Sequence, residues 1–345
     1  MTHDQRNTRL IFLGVLLLLA LAVAVIAPFI GANAMPLRVV FSPGTDDAIT
    51  DIFWNMRVPR VIVAMLAGAA LAVSGMAFQA MFRNPLATPF TLGVASGASL
   101  GAALYLRLGA ALFPWLGFSL VRREAPGISV AAFAGAMVSI LLVYGLTRAR
   151  RVTSSATMLL AGVAVSLLFS SMLLFMHYIG DPHNSFELLR WIMGGLQVVG
   201  YDSVLRVLPF VLGGSVIVLY LTRELNLVTT GEDLATSRGV DVKRTKQVLF
   251  FATSLMVGGV VAICGPIGFV GMMSPHICRM IIGADHRYLT PATLVFGGVF
   301  LTLCDLPART LIAPAEIPVG VITALIGGPF FLWLLLRRSG GALSL

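Results

Sequence analysis

The sequence predicts an all-α, polytopic membrane protein with about ten transmembrane helices, in a single domain covering residues 1–345. Three observations carry that prediction. The chain is 58% hydrophobic and only 11% charged, whereas soluble domains carry about a quarter charged residues. Its mean hydropathy is +0.93. Its apolar stretches are continuous runs near the ~20 residues that cross a bilayer, not the alternating segments of a membrane barrel.

The first run, 10–30, follows Arg6 and Arg9 and precedes Ala32-Asn33-Ala34, which has the look of a cleavage site. A signal peptide therefore competes with a retained helix. A run of about 21 residues exceeds the usual 7–15-residue signal core, which favours the helix. Further runs fall at 60–82, 90–107, 128–147, 157–179, 203–222, 247–266, 269–283, 291–305 and 317–336. The eighth and ninth are short. Gly265-Pro266 and Ser274-Pro275 suggest broken or partly inserted helices, tolerated only where protein covers the backbone or a cavity is lined. A short surface helix is placed near 186–194. Gly93, Gly97 and Gly101, spaced by four, read as a flat face for close helix packing. Cys264, Cys278 and Cys304 have neither a disulfide nor a metal spacing and read as small packing residues.

Charge sets the orientation. One set of loops, from Arg6 through Arg83, Arg148, Arg150 and Arg151 to Arg337 and Arg338, holds 15 Lys and Arg, and the opposite set, including Arg38, Arg122 and Arg123, holds 9. The richer set is assigned to the cytoplasm, with both termini inside. The net charge of +9 is then arginine flanking of membrane spans. It is not interleaved with aromatic residues in a patch, so no nucleic-acid partner is expected. Between the sixth and seventh runs lies a polar island, residues 223–246, RELNLVTTGEDLATSRGVDVKRTK, which contains both lysines. It must lie outside the bilayer and suits a cytoplasmic platform that another protein grips.

Much chemistry is excluded. No Gly-Lys pair exists, so the chain has no Walker A loop. No His-Glu-x-x-His zinc pair or paired aspartate motif occurs, and Ser274 near His276 is no triad signature. The chain reads as neither an enzyme nor a metal binder, and no cofactor is expected on it. Ionisable groups are scarce in the spans, which weakens an ion-coupled carrier as the alternative.

The residues then resemble a known family. Arg57-Val58-Pro59-Arg60, Gly68-Ala69-Ala70-Leu71, Arg83-Asn84-Pro85-Leu86-Ala87-Thr88-Pro89, Gly265-Pro266-Ile267-Gly268-Phe269-Val270-Gly271, Ser274-Pro275-His276, Asp285-His286-Arg287, Ala308-Arg309, Glu316-Ile317-Pro318-Val319-Gly320 and Gly327-Gly328-Pro329 recur in order over about 50–340. This is similar to the FecCD-type permeases of bacterial type II ABC importers, which carry vitamin B12, ferric siderophores or haem. The resemblance implies a multi-pass inner-membrane subunit of ten helices, working as two copies of itself. Its further partners would be two ATP-binding cassette ATPases, which use ATP and Mg, and a periplasmic substrate-binding protein.

The resemblance also implies roles. Arg57, Arg60 and Arg309 would dock the binding protein, with an internal pairing of Arg309 to Asp305 or Glu316 as the alternative. Asn84, Leu86 and Ser155 would form a cytoplasmic gate, although Ser155-Ala156 departs from the Thr-Ser of the B12 permeases, and helix capping is the competing role. Glu232, Asp233 and Arg238 on the island would contact the ATPase. Met176, His177, Tyr178 and Arg190, near Met172, His183 and Trp191, would line the substrate path. Met, His and Tyr are compatible with haem and Arg190 with a propionate, so haem is placed slightly ahead of siderophore and cobalamin last.

Overall fold

The computed structural model describes residues 3–31, 33, 35–41, 48–112, 125–149, 155–179 and 182–338. Arg122, Arg123, Arg150 and Arg151 of the charge count, and Ala32 and Ala34 of the cleavage-like tripeptide, lie outside the described residues. The chain is nearly all helical in these segments, with no strand among the described residues. The helices are α1 (His3–Ile26), α2 (Ala48–Asp51), α3 (Val58–Phe82), α4 (Val94–Leu112), α5 (Ala125–Ala149), α6 (Ser155–Tyr178), α7 (Pro182–Ile192), α8 (Asp202–Tyr220), α9 (Thr222–Thr230), α10 (Glu232–Ser237), α11 (Val242–Cys264), α12 (Val270–Ile282), α13 (His286–Thr310) and α14 (Val319–Arg338). Each of the ten apolar runs coincides with one of them. Eight of the described helices are long and apolar enough to cross a membrane. The remaining two runs correspond to α4 and the 13-residue α12.

Burial sorts the helices into a centre and a rim. The span that ends in α3 is 83% buried and α11 is 72% buried, whereas α1 and α6 are each 17% buried. Small residues let the central helices meet at the backbone. A Cβ on Gly68 of α3 would lie 2.2 Å from the Gly297 carbonyl oxygen of α13, and one on Gly75 would lie 1.8 Å from that of Gly271 on α12. In a bilayer such contact replaces the hydrophobic drive that packs soluble helices. Gly97 and Gly101 do the same for α4, facing Gly135 and Ala131 of α5. Gly93 differs from the expected stripe. It stands before α4 in a left-handed conformation (φ 79°), closing the turn Pro89–Leu92.

The ninth run is not short. α13 has 25 residues and passes through Pro291 and Pro307, because a bilayer offers the backbone no better partner than the helix itself. Asp285 starts it by accepting from the Arg287 N–H at 3.1 Å. The polar island is also more ordered than a loop. It forms α9 and α10 on either side of Gly231 (φ 139°), and its last residues are the first turn of α11. There Asp241 caps the helix, its carboxylate accepting from the Arg244 N–H at 2.9 Å. A π-helical stretch, Ile52–Arg57, runs directly into α3 and was not foreseen.

The Gly-Pro break between α11 and α12 is held by protein. Gly195 N donates to the Cys264 carbonyl at 2.8 Å, and Gly320 N to Gly194 at 3.2 Å. A Cβ on Gly194 would lie 2.3 Å from the Pro266 carbonyl oxygen. Three stretches of non-helical backbone thus close over one another, as the bilayer requires.

Candidate functional site

The bundle has a polar cluster at each end. At the end opposite the island, α3 and α13 bring together Arg60, Asp305 and Arg309, and the link to α14 adds Glu316. The guanidinium of Arg60 donates to both oxygens of Asp305, through Nε at 3.1 and 3.0 Å and Nη2 at 2.8 Å. Its Nη1 donates to Glu316 at 2.8 Å. Arg309 pairs with Asp305 one helical turn earlier (3.5 Å) and donates to the Ala27 carbonyl at 2.9 Å. Asp305 is wholly buried and Arg309 is 5% exposed. A charge removed from water is tolerable only when its partners are this close.

The three sequence-assigned docking arginines are therefore turned inward in this conformation. Arg57 is likewise engaged, donating to the carbonyls of Pro28 (3.2 Å), Phe29 (3.3 Å) and Asn33 (2.8 Å). The internal alternative for Arg309 is the arrangement observed, with Arg60 as the stronger partner of Asp305. Nothing in the sequence places Arg60 beside Asp305, because 245 positions separate them. The i,i+4 spacing of Asp305 and Arg309 was the one legible signal.

Beside this cluster lies a cavity of about 290 Å³, bordered by Arg60, Glu187, Arg190, Trp191, Gln197 and Glu316. Arg190, a sequence-assigned path residue, is exposed there. The other three do not join it. Met176 and His177 turn toward α4 and α7 around a void of about 20 Å³, which is a packing position. Tyr178 is 86% exposed at the tip of α6. The four residues do not form one face. Among the described residues no cluster of three or more His, Cys, Asp or Glu could hold a metal.

At the island end, the gate loop is a built turn. Arg83 adopts a left-handed conformation (φ 48°), and the Asn84 carboxamide oxygen accepts from the Leu86 N–H at 2.9 Å. Asn84 thereby shapes the turn, and Leu86 is presented outward, 58% exposed. Ser155 opens α6, and its side chain lies outside the described residues. On the island itself, Glu232 is held by Lys246 at 2.7 Å. Asp233 and Arg238 are exposed.

A second knot at this end was missed in the sequence. Asn226 of α9 donates to Asp285 at 2.8 Å, and its oxygen accepts from His286 N at 2.9 Å. Arg9 of α1 stands 3.6 Å from Asp285 and over the Tyr288 ring. Asp285 was readable as a helix cap, but no pattern pointed to Asn226.

Comparison with known proteins now has a geometry to rest on. A model described as the FecCD transport family matches residues 16–337. The chain is 38% identical over 329 residues to the hemin transport system permease protein HmuU of Yersinia pestis, covering 95% of this chain and 96% of that protein. It is also 38% identical over 312 residues to the cobalamin import system permease protein BtuC of Halobacterium salinarum, with coverages of 90% and 79%. A solved structure described as an inward-facing metal-chelate type ABC transporter superposes with a TM-score of 0.81 at 32% identity, covering 94% of this chain and 98% of the other.

Proposed function

The chain belongs to the FecCD transport family and is an ABC importer permease, and we propose that it passes a bulky metal chelate inward as one of two identical subunits, driven by two ATPases and supplied by a binding protein. The observation that carries this reading is the match along 16–337, combined with a polar helical pair, α9–α10, whose α9 packs beneath the spans and whose α10 presents Asp233 outward. ATP hydrolysis belongs to a separate subunit, since the sequence has no Gly-Lys pair for a phosphate loop.

Haem remains the first cargo, followed by ferric siderophore and then cobalamin. The ranking is that of the sequence reading: HmuU and the cobalamin permease of Halobacterium salinarum are equally similar at 38% identity, and the α6 residues add nothing to it, because Met176 and His177 pack inward. The island end is placed in the cytoplasm by the arginine and lysine bias. There Asp233 and Arg238 would meet the ATPase, with Glu232 anchored by Lys246, and the Asn84–Leu86 turn with Ser155 would close the path. At the periplasmic end Arg60 would dock an acidic partner by exchanging Glu316 for the partner's carboxylate, with Arg57 and Arg309 in support.

The test is ATPase stimulation in proteoliposomes holding the complex and its binding protein, with haem, ferric siderophores and cobalamin offered singly. Haem is expected to stimulate most. Uptake driven by an ion gradient in vesicles holding this chain alone would overturn the reading.

A further inference from the structure

On the side of the island, where α8 and α9 approach the start of α11, lies an open groove of about 800 Å³. Its membrane wall is apolar. Leu205, Leu212, Val216 and Tyr220 are exposed along one stripe of α8, and Val248, Phe251 and Leu255 along one stripe of α11. These spacings of three, four and seven mark single helix faces. Both stripes run into the groove, where Val216, Ile217, Tyr220 and Val248 border it.

The groove's mouth is charged in an ordered way. Arg223 and Arg244 are both exposed there, and no described carboxylate lies within ion-pair distance of either. Arg244 continues the apolar face of α11, one turn before Val248. Arg238, already assigned to the coupling segment, borders the far lip. Two carboxylates share the groove. Asp241 is occupied in capping α11. Glu224 lacks any ion pair among the described residues, and its buried Oε2 has no hydrogen-bond partner.

Three cations, of which Arg223 and Arg244 flank the apolar wall, an uncompensated carboxylate and a pair of apolar stripes are the negative image of one molecule. We propose that this groove binds a phospholipid with a primary-amine head group, phosphatidylethanolamine in chemical class. Its phosphate sits between Arg223 and Arg244, its ammonium meets Glu224, and its acyl chains lie along α8 and α11. Basic pockets between spans at the head-group level are suited to lipid phosphates. The carboxylate adds the selectivity, since a quaternary choline has no N–H to donate and a glycerol head group has no cation. A soluble ATPase resting on the island would not cover the apolar stripes, which extend several turns into the span. The site is independent of the cargo.

Native mass spectrometry of the purified transporter, complete with its ATPase, tests this. The complex is titrated in detergent with dioleoyl phosphatidylethanolamine, phosphatidylcholine or phosphatidylglycerol. The ethanolamine lipid should be retained about tenfold better than the choline lipid, the scale of one charge-assisted hydrogen bond. Glu224→Gln should erase that preference and leave phospholipid binding in place. Arg223→Gln/Arg244→Gln should weaken both lipids about thirtyfold, at five- to sixfold per arginine, while the double lysine variant keeps most of the binding and controls for folding. Equal retention of the ethanolamine and choline lipids, or a preference for phosphatidylglycerol, would overturn the amine assignment. Retention by the isolated chain that vanishes when the ATPase is present would assign the groove to the ATPase instead.

Discussion

Asp305→Asn should be the most damaging isosteric change in the described chain. The wild-type carboxylate is wholly buried and accepts three hydrogen bonds from Arg60, with Arg309 3.5 Å away. Asparagine keeps the shape but removes the charge, and it turns an N–H against guanidinium donors. Breaking a buried pair costs about 3–5 kcal/mol, because the surviving charges stay buried. Here two arginines are left behind. Glu316 is a natural control, since it is 36% exposed and meets Arg60 through a single 2.8 Å contact. Solvent-exposed pairs contribute about 0–1 kcal/mol, so Glu316→Gln should be nearly silent in stability. Cys264, Cys278 and Cys304 are all buried, so a thiol-reactive fluorophore reports unfolding in detergent without added labels. The expected order of melting temperatures is wild type, then Glu316→Gln slightly below, then Asp305→Asn far below. Adding Arg309→Met to Asp305→Asn should recover part of the loss, because one stranded cation is removed. An Asp305→Asn protein that melts with the Glu316→Gln protein would refute the buried-pair argument.

The proposed docking role would make a second, separable use of the same cluster. Glu316→Gln should release Nη1 of Arg60 and tighten capture of an acidic binding protein at low salt, whereas Arg60→Gln should weaken it; co-sedimentation over a salt series measures both. Asp233→Arg, at an exposed position on α10, should abolish binding-protein stimulation of ATP hydrolysis without lowering the melting temperature. Gly75→Ala should be poorly tolerated, because its Cβ would fall 1.8 Å from a backbone oxygen that cannot rotate away. The cost expected from overpacking is about 1–3 kcal/mol or more, read by the same thiol assay.

The spans were legible because a bilayer imposes length and hydropathy on every one of them. Their limits were less so. The run 291–305 read as short, but in lipid the backbone has no competing partner, and α13 continues through Pro291 and Pro307. The Asp241 cap could have marked the start of α11 at Val242, a signal hidden inside the polar island, which was read as lying wholly outside the seventh run. Site residues divided by range. Asp305 with Arg309 was visible as one helical turn, whereas Asn84, read as a gate residue or a helix cap, instead shapes a turn. Arg60 with Asp305, and Asn226 with Asp285, join elements 245 and 59 positions apart, and only the packing of α3 on α13 and α9 beneath it creates them. The inward turn of Met176 and His177 was equally hidden, since α6 is apolar on all sides and carries no periodic mark of its inner face.

α13 connects the two functional ends. It is about 37 Å long at 1.5 Å per residue. Its first residues are bonded to α9, through Asn226 to Asp285 and His286, and its last turns are bonded to α3 through Asp305. Between those points the backbones of α13 and α3 touch at Gly297 and Gly68, with no space for a single added carbon. Sliding one helix past the other would drive carbonyls into one another, so the pair moves as a body. If a partner below displaces α9, as the proposed coupling role requires, the hydrogen bonds of Asn226 would carry that displacement into the first turn of α13. The proposed docking arginine and the proposed coupling segment would then be two ends of one packed pair of helices.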